Sequence, residues 1–315
     1  MFHLKRYLFV KKLFVSVALI ILLALTGGIT FLLSRPGDYQ AHFTVKTTPD
    51  VAYYNILNWD TWNHTNLTAK IDVLSKTPVR NISQKVTLND TTLIFNWEFE
   101  KLNDSITVVR ASVSDPDRKL YNRVTVPFMN SQFKNNVRGN LLDIKKRMEL
   151  MLKTFHYEFT GYHRFEKKNC VYINLKSTPK GKARAMMSTV TELNQFVRQN
   201  NLELDGEPFL VVHDWNELKD SISFDFCFPI IRIDAVPEHP EIKFKTVESM
   251  DALKTDFYGN YSISDISWHN LAEEAKKLGY RSNHKLIEVY YNDPHLGGNE
   301  LEWKAEIYLG IDTVN

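Results

Sequence analysis

A chain of 315 residues, 43% hydrophobic and 12% aromatic, has apolar material for about two ordinary globular domains, which excludes a disordered protein. Its 39 basic and 37 acidic residues leave a formal charge of +2 and are spread along the chain, so no basic stripe exists to neutralise nucleic-acid phosphates, and nucleic acid is not an expected partner. Cys170 and Cys227 are too few for a disulfide scaffold and lack the paired spacing of a zinc site; they read as buried thiols, although one disulfide is permitted outside the cytoplasm.

The strongest local signal comes first. From Leu13 to Leu33 no charged residue interrupts LFVSVALIILLALTGGITFLL, a length suited to the roughly 30 Å hydrocarbon core of a bilayer. A cleaved signal peptide would have a shorter apolar region ending at a small-x-small site, whereas this one runs into Ser34-Arg35-Pro36-Gly37. The expectation is a single-pass anchor over residues 13–34, behind a tail of residues 1–12. Lys5, Arg6, Lys11 and Lys12 precede the span and Arg35 follows it, which by the positive-inside rule keeps the tail cytoplasmic and the soluble bulk outside.

Residues 38–155 read as a first α+β domain. His42 to Lys46 alternate like a strand, and Asp50 to Leu57 suit one or two helical turns. Strands follow at Thr92–Phe99 and Ser105–Arg110, separated by the turn residues Asn103-Asp104. Phe133, Val137, Leu141, Ile144, Met148 and Leu152 recur at steps of three and four, the apolar stripe of one long helix. Six N-x-S/T matches, at Asn63, Asn66, Asn81, Asn89, Asn103 and Asn260, are expected by chance in a chain rich in Asn and Thr.

Residues 156–315 carry an internal repeat. The first copy is a strand at Val171–Leu175, a helix with Met186, Val190, Leu193 and Val197, a strand at Phe209–His213 and a strand at Ser223–Ile230. The second is a strand from about Glu248 to Tyr258, a helix with Trp268, Leu271, Ala275 and Leu278 closed by Gly279, and strands at Leu286–Tyr291 and Trp303–Ile311. Two such β-α-β-β units are expected to pack about a pseudo-twofold axis.

Two resemblances follow from these residues. In the first domain, Trp59-x-x-Trp62, Trp97, and Val126-Pro127-Phe128 leading into Phe133-Lys134 resemble the START-like superfamily, the SRPBCC group that includes polyketide cyclases and lipid-transfer domains. The resemblance implies a helix-grip fold with an apolar or lipid ligand between the long helix and the sheet. Taken singly, Trp59, Trp62, Trp97 and Phe128 read as ordinary core residues. In the second domain, Glu288-Val289-Tyr290-Tyr291-Asn292-Asp293-Pro294, Ala305 to Ile311 and Gly259-Asn260-Tyr261 resemble the GyrI-like small-molecule-binding domain, also the effector-binding module of some AraC-type and MerR-type activators. Asn260 and Gly310 stand where that family often has proline; the equivalent proline of the first copy is Pro229.

Strand alternation places Glu306 and Tyr308 opposite the apolar face of Trp303, Ala305, Ile307 and Leu309, with Glu288 and Tyr290 alternating against Ile287 and Val289. The helix-free faces of the two copies are expected to form a groove holding Glu306, Glu288, Tyr308, Tyr290 and Asp225. Carboxylates and tyrosines there suit a cationic or amphipathic organic ligand, with cation–π contacts of about 0.5–2 kcal/mol.

No glycine-rich phosphate loop, H-E-x-x-H, G-x-S-x-G or Cys-His metal pair is present, so no cofactor, metal or catalytic nucleophile is expected. The leading expectation is a membrane-anchored protein that binds, senses or sequesters a small molecule. Two alternatives stand beside it: a hydrolase of small strained electrophiles, with desolvation raising the pKa of Glu306 so that it acts as general base, and a relative of transcription regulators that has lost its DNA-binding domain.

Overall fold

The computed structural model describes residues 2–57, 59, 69–88, 91–103, 106–216, 221–231 and 237–312. Trp62, Asn63, Asn66, Asn89, Asp104 and Ser105 lie outside the described residues. The chain is a mixed α+β protein with two antiparallel sheets, and divides into a unit of residues 1–147 and a unit of residues 148–315.

In the first unit, α1 (Phe2–Ser34) contains a stretch, Ser16–Ser34, long and apolar enough to cross a membrane, and Val17, Ile20, Leu22, Leu23 and Phe31 within it are exposed. Strands β1 (Tyr39–Val45), β2 (Lys70–Thr77), β3 (Asn81–Leu88), β4 (Thr91–Asn103) and β5 (Ile106–Ser114) form one sheet in the order β1-β5-β4-β3-β2, with α2 (Pro49–Leu57) between β1 and β2 in sequence. Alternation sets its core: Leu93, Phe95, Trp97 and Phe99 of β4 are buried at every second position, as are Val109, Ala111 and Val113 of β5.

Trp97 stacks on Phe95 at 5.6 Å and Trp59 meets both edge-on. The Trp97 indole N–H donates to Gln84 Oε1 at 2.9 Å, and Gln84 Nε2 donates to the Ile56 carbonyl at 3.1 Å, so this polar atom is satisfied within the core. α3 (Lys119–Thr125) and α4 (Gln132–Met151) follow β5, and the stripe of α4 is buried at Val137, Leu141, Ile144 and Met148. Phe128 corrects the expectation of a core aromatic: it is 82% exposed, in the turn after α3.

The second unit holds β6 (Phe155–Phe165), β7 (Lys168–Ser177), α5 (Lys182–Gln199), β8 (Phe209–Asn216), β9 (Ser221–Pro229), β10 (Lys243–Val247), β11 (Met250–Gly259), α6 (Ile266–Lys277), β12 (Arg281–Tyr290) and β13 (Lys304–Asp312). All eight strands form one sheet in the order β10-β7-β9-β8-β12-β13-β11-β6. That order is symmetric about the β8–β12 pair once β7 is matched with β11, β9 with β13 and β10 with β6. Each copy is therefore β-β-α-β-β rather than β-α-β-β, and its leading strand pairs with the other copy: β6 with β11, β10 with β7.

Gly279, at φ +77°, ends α6 as expected. Gly259, at φ +152°, closes β11 where a Cβ would lie 2.7 Å from Phe155 Cβ, so glycine permits the close passage of β6 just before Tyr261. Asn260, where the resembling family often has proline, accepts the Ser262 N–H at 3.0 Å and so caps the turn that presents Tyr261.

Candidate functional site

Register settles which face each expected residue occupies. Glu288 lies opposite Ile307, and Tyr290 opposite Ala305, so both share the apolar, helix-covered face; Glu306 lies opposite Val289 and Tyr308 opposite Ile287, on the other face. Asp225 lies opposite Val211, itself opposite Ile287, and shares the face of Tyr308. The five residues are therefore divided between the two faces of the sheet, and the helix-free face is not an open groove at its centre. It carries a core of its own: Phe165, Cys170, Phe209, Cys227, Met250, Ala252 and Ile287, with Tyr308 packed against it.

On that face the carboxylates are already partnered. Glu306 accepts hydrogen bonds from Lys254 Nζ (2.8 Å), Lys304 Nζ (2.9 Å), Tyr291 OH (2.8 Å) and Tyr308 OH (2.8 Å). Burial pushes its pKa up, but these four donors outweigh burial and hold the carboxyl at about 2. A general base raised by desolvation is thus the opposite of what surrounds Glu306. Asp225 behaves the same way: burial is outweighed by His213 and Lys245, each at 2.6 Å, and by Asn174 at 2.7 Å, leaving it at about 2.

These shifts predict acid lability. The folded values lie below the ordinary values of 4.5 for Glu and 3.8 for Asp, so both groups stabilise the fold above pH 4.5 and lose that contribution as pH falls toward 2. Denaturant unfolding followed across this window should show a smaller loss of stability in Glu306→Gln/Asp225→Asn than in the parent; equal slopes would refute the assignment.

The helix-covered face holds the cleft. A cavity of about 410 Å³ lies among Met186, Met187 and Val190 of α5, Phe226 and Phe228 of β9, Tyr261 before α6, Tyr290 and Tyr291 at the end of β12, and the segments around Glu207 and Asp293. Its size falls in the range of small-molecule pockets. Among the described residues, two carboxylates and no basic side chain line it. The α5 stripe read from the sequence supplies one wall, and the β12 turn supplies the other.

Behind the tyrosine wall sits Glu288, fully buried. Ser264 Oγ donates to its two oxygens at 3.0 and 3.1 Å, and Trp268 Nε1 and the Tyr290 hydroxyl donate to it as well. Tyr261 packs its ring 4.8 Å from that of Tyr290 and donates its hydroxyl to the Lys304 carbonyl at 2.8 Å. Lys182, also fully buried, pairs with Asp265 at 3.2 Å and lies 5.3 Å from the Trp268 ring centre. Burial raises the pKa of Glu288 despite the opposing Lys182 charge and the hydrogen bonds from Tyr290 and Trp268. Burial also pushes Tyr291 up to about 12, helped by its bond to Glu306.

Of the expected residues, the structure brings Tyr290 to the cleft with Glu288 directly behind it, reaches Glu306 through Tyr291, and leaves Tyr308 and Asp225 on the far face. Sequence reasoning missed Tyr261, Ser264, Trp268 and Lys182 as partners of this site. Trp268 carried a prior signal as a helix-stripe residue, and Tyr261 as part of the Gly259-Asn260-Tyr261 resemblance.

Comparisons with known proteins bear on this unit. No curated protein matches the chain. Among solved structures, an EcmrR–DNA complex is similar at 16% identity over 59% of this chain and 74% of its own, with a TM-score of 0.43. A hydrolase from Listeria innocua is similar at 12% identity over 53% and 98%, with a TM-score of 0.35. SAV2435 bound to tetraphenylphosphonium is similar at 11% identity over 50% and 94%, with a TM-score of 0.30. The family model for the GyrI-like small molecule binding domain matches residues 164–312, the span from the end of β6 through β13 that contains the cleft and Glu288. Residues 164–312 are a GyrI-like small-molecule-binding domain.

Proposed function

We propose that the protein is a membrane-anchored sensor or sequestering protein that captures a cationic, apolar small molecule in the cleft between α5 and the end of β12. The observation that carries this reading is the composition of the cleft among the described residues: five aromatic side chains (Phe226, Phe228, Tyr261, Tyr290 and Tyr291), two carboxylates (Glu207 and Asp293), no basic side chain, and the buried Glu288 one phenol away. Aromatic faces attract a cation through their quadrupoles, and a delocalised organic cation loses little hydration on entering such a site. The exposed apolar stretch of α1 supports the anchor, with the soluble units outside the cytoplasm by the lysine and arginine asymmetry around it. For the first unit, the five-stranded sheet with α4 following it is compatible with the START-like resemblance, on which a lipid-like ligand there rests.

The test uses the full chain in detergent. Tetraphenylphosphonium, a bulky cation without hydrogen-bond donors, should raise the melting temperature of the second unit in a dose-dependent way, because a ligand at about 100 times its Kd adds about 2.7 kcal/mol by mass action. Neutral triphenylphosphine oxide should give a smaller shift. An equal shift with both would remove the charge selectivity, and no shift with either would remove the cleft as a site for this class of ligand.

A further inference from the structure

The apolar helix is fastened to the first unit at its end. The last carbonyls of an α-helix have no partners within the helix. In α1 those of Leu32 and Leu33 and that of Arg35 beyond it accept from one guanidinium: Arg123 of α3 donates through Nη1 to Leu32 (3.4 Å) and Leu33, and through Nη2 to Arg35 (2.8 Å). Arg123 Nε donates to Asp38 Oδ1 at 3.0 Å, and Asp38 Oδ2 accepts the Asp115 N–H at 2.9 Å. The arginine side chain is 5% exposed and the aspartate side chain 0%. α3 is thereby held at the level of the last turn of α1.

The rest of α3 faces outward. With Asn122 and Arg123 buried, the opposite face presents Leu120 (66% exposed), Tyr121 (61%) and Val124 (52%), and the turn that follows adds Phe128 (82%) and Met129 (61%). Single exposed apolar residues are ordinary, but five close together in sequence, beside the end of an exposed apolar helix, form a patch that water covers at a cost.

We propose that α3 and residues 126–130 are a second membrane contact, an interfacial one, which lies in the boundary between lipid headgroups and acyl chains and fixes the first unit flat against the bilayer. The inference rests on reading α1 as a membrane span. Ser16–Ser34 is 19 residues, a rise of about 28 Å, close to the roughly 30 Å hydrocarbon thickness, so the level of residue 34 is the boundary itself. Tyrosine, phenylalanine and leucine suit that depth, where an aromatic ring is buried and a hydroxyl stays wet. A protein partner is the poorer occupant, because a standard interface takes roughly 20–30 residues a side.

The experiment reconstitutes the full chain in vesicles of phosphatidylcholine and phosphatidylglycerol, with an environment-sensitive fluorophore on F128C, on L120C, or on I20C as the reporter of the span; the native cysteines are buried. The labels at 120 and 128 should be blue-shifted and quenched roughly twofold or more by lipids spin-labelled near the headgroup, while the label at 20 responds to lipids labelled deep in the chain. Quenching at 20 without quenching at 120 and 128 would overturn this inference and leave the anchor standing. No quenching at any of the three would remove the anchor, and this contact with it. A blue shift at 128 without quenching by lipid would assign the patch to a protein surface and overturn the inference as well.

Discussion

Glu288→Gln is expected to weaken binding of tetraphenylphosphonium roughly thirtyfold while leaving the unit folded. A unit charge about 7 Å from the ligand, one phenol away, acts with about 2 kcal/mol at an effective dielectric constant of about 20. The amide removes that charge but keeps an oxygen to accept from Ser264 and Trp268 and an amino group that the Tyr290 hydroxyl can accept, so the core contacts survive. Glu288→Leu is a different experiment: it takes the acceptor from the buried Trp268 N–H and Tyr290 hydroxyl, while Ser264 Oγ keeps the Tyr261 carbonyl at 3.0 Å, and should cost about 2–4 kcal/mol of stability.

The same site has a pH signature. Glu288 is raised above its ordinary 4.5, so burying it ionised opposes folding as pH rises through that interval, while a bound cation favours the ionised form. Cation affinity should therefore increase as pH rises through the folded pKa, with proton release on binding, and Glu288→Gln should flatten the dependence. Calorimetric titration in two buffers of different ionisation enthalpy reads the proton release directly. Equal affinity and equal proton release in parent and Glu288→Gln would show that this carboxylate does not sense the ligand.

Much of the second unit was legible because its helices and strands have strong periods: α5, α6, β8, β9, β12 and β13 coincide with runs readable at steps of 3.6 or 2. What alternation could not supply was register. A strand such as β12, whose Ile287 and Val289 pack on one face and Leu286 and Tyr290 on the other, has two buried faces, so the polarity rule places Glu288 outward by default. Only the pairing with Ile307 reverses that. Glu306 is the complementary case, correctly set opposite the apolar face yet neutralised by Lys254, which lies on a neighbouring strand 52 residues earlier in the chain. The leading strands β6 and β10 were missed because each is paired by the other copy, a relation no window of sequence contains.

In the first unit the apolar span, the α4 stripe and the β4 alternation were readable, but nothing local marks Arg123 among 39 basic residues. Its role depends on contacts 85 to 91 positions away in the chain. Phe128 looked like a core aromatic because size and apolarity are what the sequence reports, and exposure is what the fold decides.

Arg123→Ala should destabilise the first unit by about 3–5 kcal/mol, because it strands the Asp38 carboxylate without its cation in a site closed to water and leaves three carbonyls at the end of α1 without donors. Arg123→Lys keeps the charge but cannot reach Asp38 and the carbonyls together, since an ammonium lacks the planar fork that spans them, so it should recover only part of the loss. Asp38→Asn with Arg123→Met removes both charges at once and should be less costly than Arg123→Ala alone, which separates a stranded charge from lost packing. Urea unfolding of the four chains, read through Trp97 fluorescence in the core of the same unit, orders them. If Arg123→Ala and the double variant are equally unstable, the pair contributes through volume rather than charge. If Arg123→Ala costs nothing, α1 is not fastened to its unit by this residue, and its C-terminal carbonyls are satisfied by water.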